Sequence, residues 1–386
     1  METLWIAVLA LAATAVAGWL WLRSSRNSAP PVRAAPPTAP SVARAALAPA
    51  PTTAAEVPLP AEIMALRLAQ ADSLDPARRQ TLVDTFGNVP RPPRLLTQLV
   101  SLDLMGAASS HELMAMISGE PLIAAKVLAA VNSPAYGLGR PVAGVGQAVT
   151  FLGLNSVRAV CMQYALMQAF QADSPARAQR LSALWQASAL AGEFCQYATN
   201  RAGLADPGGL TSAVVLSFLG PLAVAVGMTP AQLATLPARD MLQRATAEQA
   251  QWGVAAAEIG RMLMRRWELP DGVVDEAAGI SLGLVTPYKP LKPDKNATGL
   301  RRAFAHLCVC LAERLAFAEL KSLGEFDLAA DSSIELACAR TFLADARFAA
   351  LVAELRSSPV QQRIAQMMSA PPRVPVAPRQ AVAATA

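Results

Sequence analysis

The sequence predicts an all-α protein, and three observations predict it. Hydrophobic residues make up 53% of the 386 residues, while aromatics make up only 5%. The surplus is largely alanine and leucine, which lead the helix scale, rather than the β-branched and aromatic residues that favour sheets. From Ala61 to Ala370 apolar residues recur at spacings of three and four, broken at proline and glycine, with no convincing alternating strand run between them. By composition the chain divides into residues 1–22, 23–60, a body over 61–370, and 371–386.

The first segment predicts a membrane anchor. Leu4 to Leu22 is 19 residues without a charge, which as a helix reaches about 28 Å, close to the hydrocarbon thickness of a bilayer. Trp5, Trp19 and Trp21 stand near its ends, as interfacial aromatics do. A cleaved signal peptide has a positive n-region and a shorter apolar core; here the arginines follow the run. That order predicts a retained helix with the body on the cytoplasmic side of a bacterial inner membrane. Residues 23–60, rich in proline and alanine, predict a disordered linker, and residues 371–386 a similar tail. Of the net charge of +5, two charges lie in residues 1–60 and two in 371–386, which leaves about +1 for the body. No basic footprint of the kind a nucleic-acid binder carries is visible, and no nucleic-acid partner is expected.

Within the body, Ser109 and Glu112 have capping-box spacing and open a short helix that Gly119 closes. Pro121 suits the first turn of the next helix, where its missing N–H costs nothing. That helix is predicted to run to Val131 and to stop at Asn132 and Ser133, because Pro134 pushes the residue before it out of the α region. Asn132 is expected in a left-handed turn, bracing the following loop with its side chain, while Tyr136 packs on neighbouring helices and Gly137 and Gly139 permit positive φ. Towards the C-terminus, "GLRRAFAHLCVCLAERLAFAELKSL" reads as an amphipathic helix, and "SSIELACARTFLADARFAALVAEL" as one or two more with Ser332 and Glu335 as a capping box. These are expected to be accessory helices.

The stretches "VPRPPRLLTQLVSL", "ELMAMISGEPLIAAKVLAAVNSPAYG" and "PVAGVGQAVTFLGLNSVRAV" together resemble the first half of an HDOD domain. This is a bacterial all-α signalling family of non-catalytic relatives of the HD phosphohydrolases. The resemblance rests on Val89–Pro93, Glu120-Pro121, Asn132-Ser133-Pro134, Tyr136-Gly137, Gln147-Ala148 and Leu152-Gly153, and extends more weakly over roughly residues 85–285. It implies an HD-like helical bundle over residues 61–285, with residues 286–370 as accessory helices. Glu120 departs from the family's usual aspartate, which argues against a ligand role for that carboxylate. The His-Asp pair of an HD phosphohydrolase corresponds to Ser217-Phe218, and its upstream histidine to the neighbourhood of Ala187.

The whole chain has two histidines, His111 and His306. Divalent-metal phosphohydrolysis needs several imidazole and carboxylate donors, so no metal, cofactor or HD-type catalysis is expected. Cys161, Cys195, Cys308, Cys310 and Cys338 show no metal-ligand spacing and read as buried thiols; only Cys310 shares a helix face with His306. Arg261, Arg265 and Arg266, like Lys289, Lys292 and Lys295, read as solvated surface rather than a phosphate site. Two functional classes stay open. One is a membrane-tethered signalling scaffold that binds an unidentified signalling protein. The other is a sensor holding a nucleotide-like ligand in a vestigial HD pocket without hydrolysis. An enzyme of another type is a third, weaker reading, and the oligomeric state is left open.

Overall fold

The computed structural model describes residues 58–105, 110–132, 140–202, 204–235, 240–289 and 293–369. The expected anchor with Trp5, Trp19 and Trp21, most of the linker, the tail, and Ser109, Ser133, Pro134, Tyr136 and Gly137 lie outside them. Among the described residues every regular element is a helix: α1 Ala61–Ala65, α2 Pro76–Phe86, α3 Arg94–Met105, α4 Ser110–Ser118, α5 Pro121–Val131, α6 Val145–Leu152, α7 Leu154–Met167, α8 Pro175–Ala202, α9 Pro207–Ser217, α10 Leu219–Gly227, α11 Pro230–Thr235, α12 Met241–Trp252, α13 Ala256–Arg266, α14 Asp271–Gly279, α15 Pro293–Ala316, α16 Ala337–Thr341, α17 Ala346–Leu355 and α18 Ser358–Ser369, with short 3₁₀ turns such as Ile280–Leu284. The all-α prediction holds.

Local chemistry sets many of the boundaries. Asp75, Asp206, Asp240 and Asp345 each accept a backbone N–H in the first turn of the helix that follows. Pro76, Pro121 and Pro207 occupy first turns. Helix α12 stops at Gly253, with φ +81°, a conformation open to glycine at no steric cost.

Helix α8, 28 residues long, is the axis of the bundle. Helices α7, α9, α10, α15, α17 and α18 all pack on it. Two glycines bring α10 and α13 together almost backbone to backbone. A Cβ on Gly220 would stand 1.9 Å from the carbonyl oxygen of Ala256, and one on Gly260 2.9 Å from the amide nitrogen of Gly220. The stretch Pro207–Gly227 is long and apolar enough to cross a membrane, but 78% of it is buried inside the bundle, as a core helix is.

The C-terminal region differs from its prediction in two ways. Helix α15 is not amphipathic at its centre: every residue from Ala303 to Glu313 is buried. It lies between α8, the 3₁₀ turn Ile280–Leu284, α16 and α17, and a helix covered on all sides buries its whole circumference. The expected capping box of Ser332 and Glu335 does not form either. Asp331 accepts from both the N–H and the hydroxyl of Ser333, and Glu335 turns inward to accept from the Met241 N–H and Arg314. The guanidinium of Arg314 is a charge-assisted donor that the backbone N–H of a surface turn does not match.

Candidate functional site

The α9–α10 junction is where Ser217 and Phe218 lie, and a cavity of about 90 Å³ opens against them. Its walls come from α8 (Arg180), α10 (Pro221), α12 (Arg244, Glu248), the start of α13 (Ala256), the α14 end with the following turn (Ala277, Ile280, Ser281) and α15 (His306, Val309, Glu313). Much of the lining is aliphatic. Ser217 spends its hydroxyl proton on the carbonyl of Val214 at 2.7 Å, and Ser281 does the same with Ala278 at 2.9 Å. Ala187 is buried in α8 and is not among the lining residues.

The charged groups in this wall follow a definite order. Arg244 and Glu313, both buried, form a direct ion pair. Burial works against the Arg244 charge, but Glu313 beside it, the hydrogen bond between them and the nearby Glu248 and Glu335 outweigh burial and hold the guanidinium above its ordinary range. Glu248 reaches from α12 to the first turn of α13 and accepts the Ala256 N–H at 2.7 Å, which gives α13 the N-terminal acceptor that Ala255 lacks. Burial pushes its carboxyl up to about 7, with the Ala256 N–H and Arg244 opposing.

Arg180 has its guanidinium carbon 4.8 Å from the centroid of the Phe317 ring. Burial and the like charge of Arg244 lower its pKa against Glu313 and Glu248. His306 is fully buried, and its Nε2 lies 2.9 Å from the carbonyl oxygen of Glu335. A carbonyl only accepts, so Nε2 carries the proton and Nδ1 is a bare acceptor, with no partner. Burial pulls the imidazole pKa down and keeps the ring neutral. The Cys310 Sγ is 3.5 Å from Nε2, on the shared face that the sequence spacing placed it on. All five cysteines are buried and free; desolvation holds the Cys310 thiol well above its usual range, which leaves no thiolate for nucleophilic work.

These residues do not fit a divalent metal. Among the described residues no group of three or more histidine, cysteine, aspartate or glutamate side chains could hold one. Two guanidinium groups, those of Arg180 and Arg244, line the cavity beside Ser217 and Phe218, and the carboxylates there are engaged by Arg244 and by Ala256. His111 is exposed on α4, away from the cavity wall.

The other residues singled out in the sequence form a separate set that does not line the cavity. Glu120 precedes α5 without making a side-chain cap bond, and Pro121 opens the helix. Asn132 keeps φ −83° and ψ 0°, not the left-handed turn expected. Its amide donates to the Val142 carbonyl at 2.9 Å and accepts the Val142 N–H at 2.6 Å. Gln147 accepts the Ala143 N–H at 3.0 Å ahead of α6. Leu152 is half-buried, and Gly153 turns the chain from α6 into α7 with φ +81°. Of the arginines read as a basic face, Arg261 pairs with Glu258 and Asp275 and Arg266 donates to the Gly87 carbonyl.

Sequence reasoning singled out Ser217-Phe218 but did not join Arg180, Arg244, Glu248, His306 and Glu313 to it. A weak signal was present. Arg244 and Glu248 are four apart, and His306, Val309 and Glu313 fall on one face of an otherwise apolar helix.

Residues 89–280 match the HDOD domain family. The fold is similar to that of an HDOD domain protein of unknown function from Geobacter sulfurreducens, with 21% identity, a TM-score of 0.53, and coverage of 76% of this chain and 98% of that one. It is also similar to a protein of Shewanella amazonensis described as a proposed phosphohydrolase, with 20% identity, a TM-score of 0.50, and coverage of 75% and 97%. No curated protein matches the chain.

Proposed function

We propose that this chain, which belongs to the HDOD family through residues 89–280, is a non-catalytic signalling module, tethered to the bacterial inner membrane by residues 1–22 and acting through a protein partner. The observation that carries the reading is the content of the cavity at Ser217-Phe218: an Arg244–Glu313 ion pair and a second guanidinium, Arg180, where hydrolysis would need metal donors. A nucleotide-like occupant is disfavoured by size, since the cavity is about 90 Å³ and clefts for drug-sized molecules run to roughly 300–1,000 Å³.

Support for a protein partner comes from the surface beside the family motif. Leu122 follows Pro121 on α5 and is 62% exposed, and Phe151 precedes Leu152 on α6 and is 59% exposed; these two helices pack on each other. Large exposed side chains on adjoining helices suit docking to a protein surface. The test is affinity capture from a bacterial lysate with the full-length chain, in parallel with Leu122→Ser/Phe151→Ser. The reading expects a specific partner that the double variant loses while its melting temperature is unchanged. Capture of the same proteins by both would contradict docking there. Fractionation tests the tether: the chain should sediment with membranes, and a mature N-terminus beyond residue 22 would contradict it.

A further inference from the structure

The stretch that leads into α2 is attached to the bundle in two different ways. From Ala69 onward it is fixed. The Ala69 N–H donates to the Gln249 side chain at 2.7 Å, the Ala71 N–H donates to Glu258 at 3.1 Å, and Ala71 is buried in the main core. Residues 59–68 are held more lightly, and Ile63 is the one residue among them that is buried. Their hydrogen bonds are local: Met64 N–H to the Pro60 carbonyl, Leu66 N–H to the Glu62 carbonyl, and Arg67 to the carbonyls of Met64 and Leu66. Helix α1, inside this stretch, has five residues, too few to persist without a surface to pack on.

Ile63 does not join the main core. It forms a separate small cluster with Leu242 of α12, Leu284 and Cys338 of α16, against which Leu59 and Leu66 also pack. Leu284 lines the cavity at Ser217-Phe218 as well, and Leu68 supplies another part of the same wall. One lightly held segment therefore touches both the small cluster and the cavity.

We propose that residues 59–68 are a hinged lid on this cavity, opening at Ala69–Ala71 while the helical bundle stays folded. None of the local hydrogen bonds has to break for the segment to lift. Lifting exposes chiefly the Ile63 cluster, whereas unfolding the bundle exposes the whole main core, and the cost of an opening follows the apolar surface it bares. Opening takes Leu68 out of the cavity wall and uncovers Leu284 and Cys338. The proposal goes beyond the signalling reading and does not rest on it: the metal and partner tests can succeed or fail whether or not the segment lifts.

The cysteines supply the test. Cys338 lies under the lid, while Cys161, Cys195, Cys308 and Cys310 lie in the main core. All five are buried and free, so each thiol reacts only when the structure over it opens. The purified full-length chain is treated with iodoacetamide in native buffer, and modification of each cysteine is followed by mass spectrometry. Cys338 should react at least roughly tenfold faster than the other four, and its rate should change little in low urea, because a small opening exposes little surface. Ile63→Ser removes the side chain that holds the lid and should speed Cys338 by a further factor of roughly ten, with the other four unchanged. The thiol introduced by Leu284→Cys, in the cavity wall itself, should react at the Cys338 rate. If Ile63→Ser does not fold, the order of the thiols in the parent chain and their urea dependence decide alone. Modification of all five together, a Cys338 rate as steep in urea as the others, or a Cys338 rate that Ile63→Ser leaves unchanged would overturn the proposal. So would a thiol at position 284 that reacts only as slowly as those of the main core.

Discussion

Asn132 and Val142 hold each other by two reciprocal hydrogen bonds: the Asn132 amide donates to the Val142 carbonyl at 2.9 Å, and the Val142 N–H donates to the Asn132 side-chain oxygen at 2.6 Å. The side chain at the end of α5 thus acts as a strand would, pairing both backbone groups of a residue ten positions later. Neither backbone group has to find a helix partner, which lets the chain turn between α5 and α6 with its polar atoms satisfied.

Asn132→Ala removes both bonds and strands the two Val142 groups. The expected loss is about 1–2 kcal/mol, read as a lower melting temperature or denaturation midpoint. Partner capture should survive at temperatures where the variant is folded. Unchanged stability with lost capture would show that Asn132 belongs to a recognition surface instead of a brace.

The Arg244–Glu313 pair gives a second expectation. Removing one partner leaves the other charge buried, so Glu313→Ala should destabilise by about 3–5 kcal/mol. Replacing both, as Arg244→Met with Glu313→Leu, should recover most of that loss, because apolar side chains of similar size need no desolvation. Denaturant unfolding of Arg244→Met, Glu313→Leu and the variant carrying both measures the coupling. Additive losses would mean that the pair is not coupled.

Glu248 sets a pH dependence whose sign is fixed. Its carboxyl is raised from 4.5 to about 7 in the folded protein. Below the lower value the group is neutral in both states, and its favourable contribution is fully present. As pH rises through the window from about 4.5 to about 7, the unfolded chain gives up the proton first and stability falls. The size is on the order of 3 kcal/mol for a shift of this extent. Asp331 and Asp345, both lowered, work in the opposite direction at lower pH. The check is therefore the difference between Glu248→Gln and the parent. Glutamine keeps the acceptor for Ala256, so its relative melting temperature should climb between pH 5 and pH 8. A flat difference would mean that Glu248 titrates normally.

The sequence made the helical architecture legible because the governing rules are local. Pro121 opening α5, Asn132 ending it and Gly153 separating α6 from α7 each follow from the conformational limits of one or two residues. Ser217-Phe218 was singled out through resemblance. Its surroundings were not, since nothing local sets Arg180, Arg244 and Glu248 apart from other charged residues of the chain, and α15 read as an amphipathic accessory helix. Their chemistry arises from burial, which the order of the chain does not reveal. The same holds for Glu335: the spacing from Ser332 fits a capping box, yet Arg314 and the Met241 N–H compete for the carboxylate and win.

The central proposal is that the cavity beside Ser217 and Phe218 carries a guanidinium and carboxylate cluster, Arg180, Arg244, Glu248 and Glu313, and no catalytic metal. The most direct measurement is the metal content of the purified full-length chain, taken with an assay of cyclic dinucleotide hydrolysis on the same preparation. The account predicts no stoichiometric transition metal and no hydrolysis. One or two bound ions per chain, with hydrolysis abolished by a chelator and restored by metal, would contradict it.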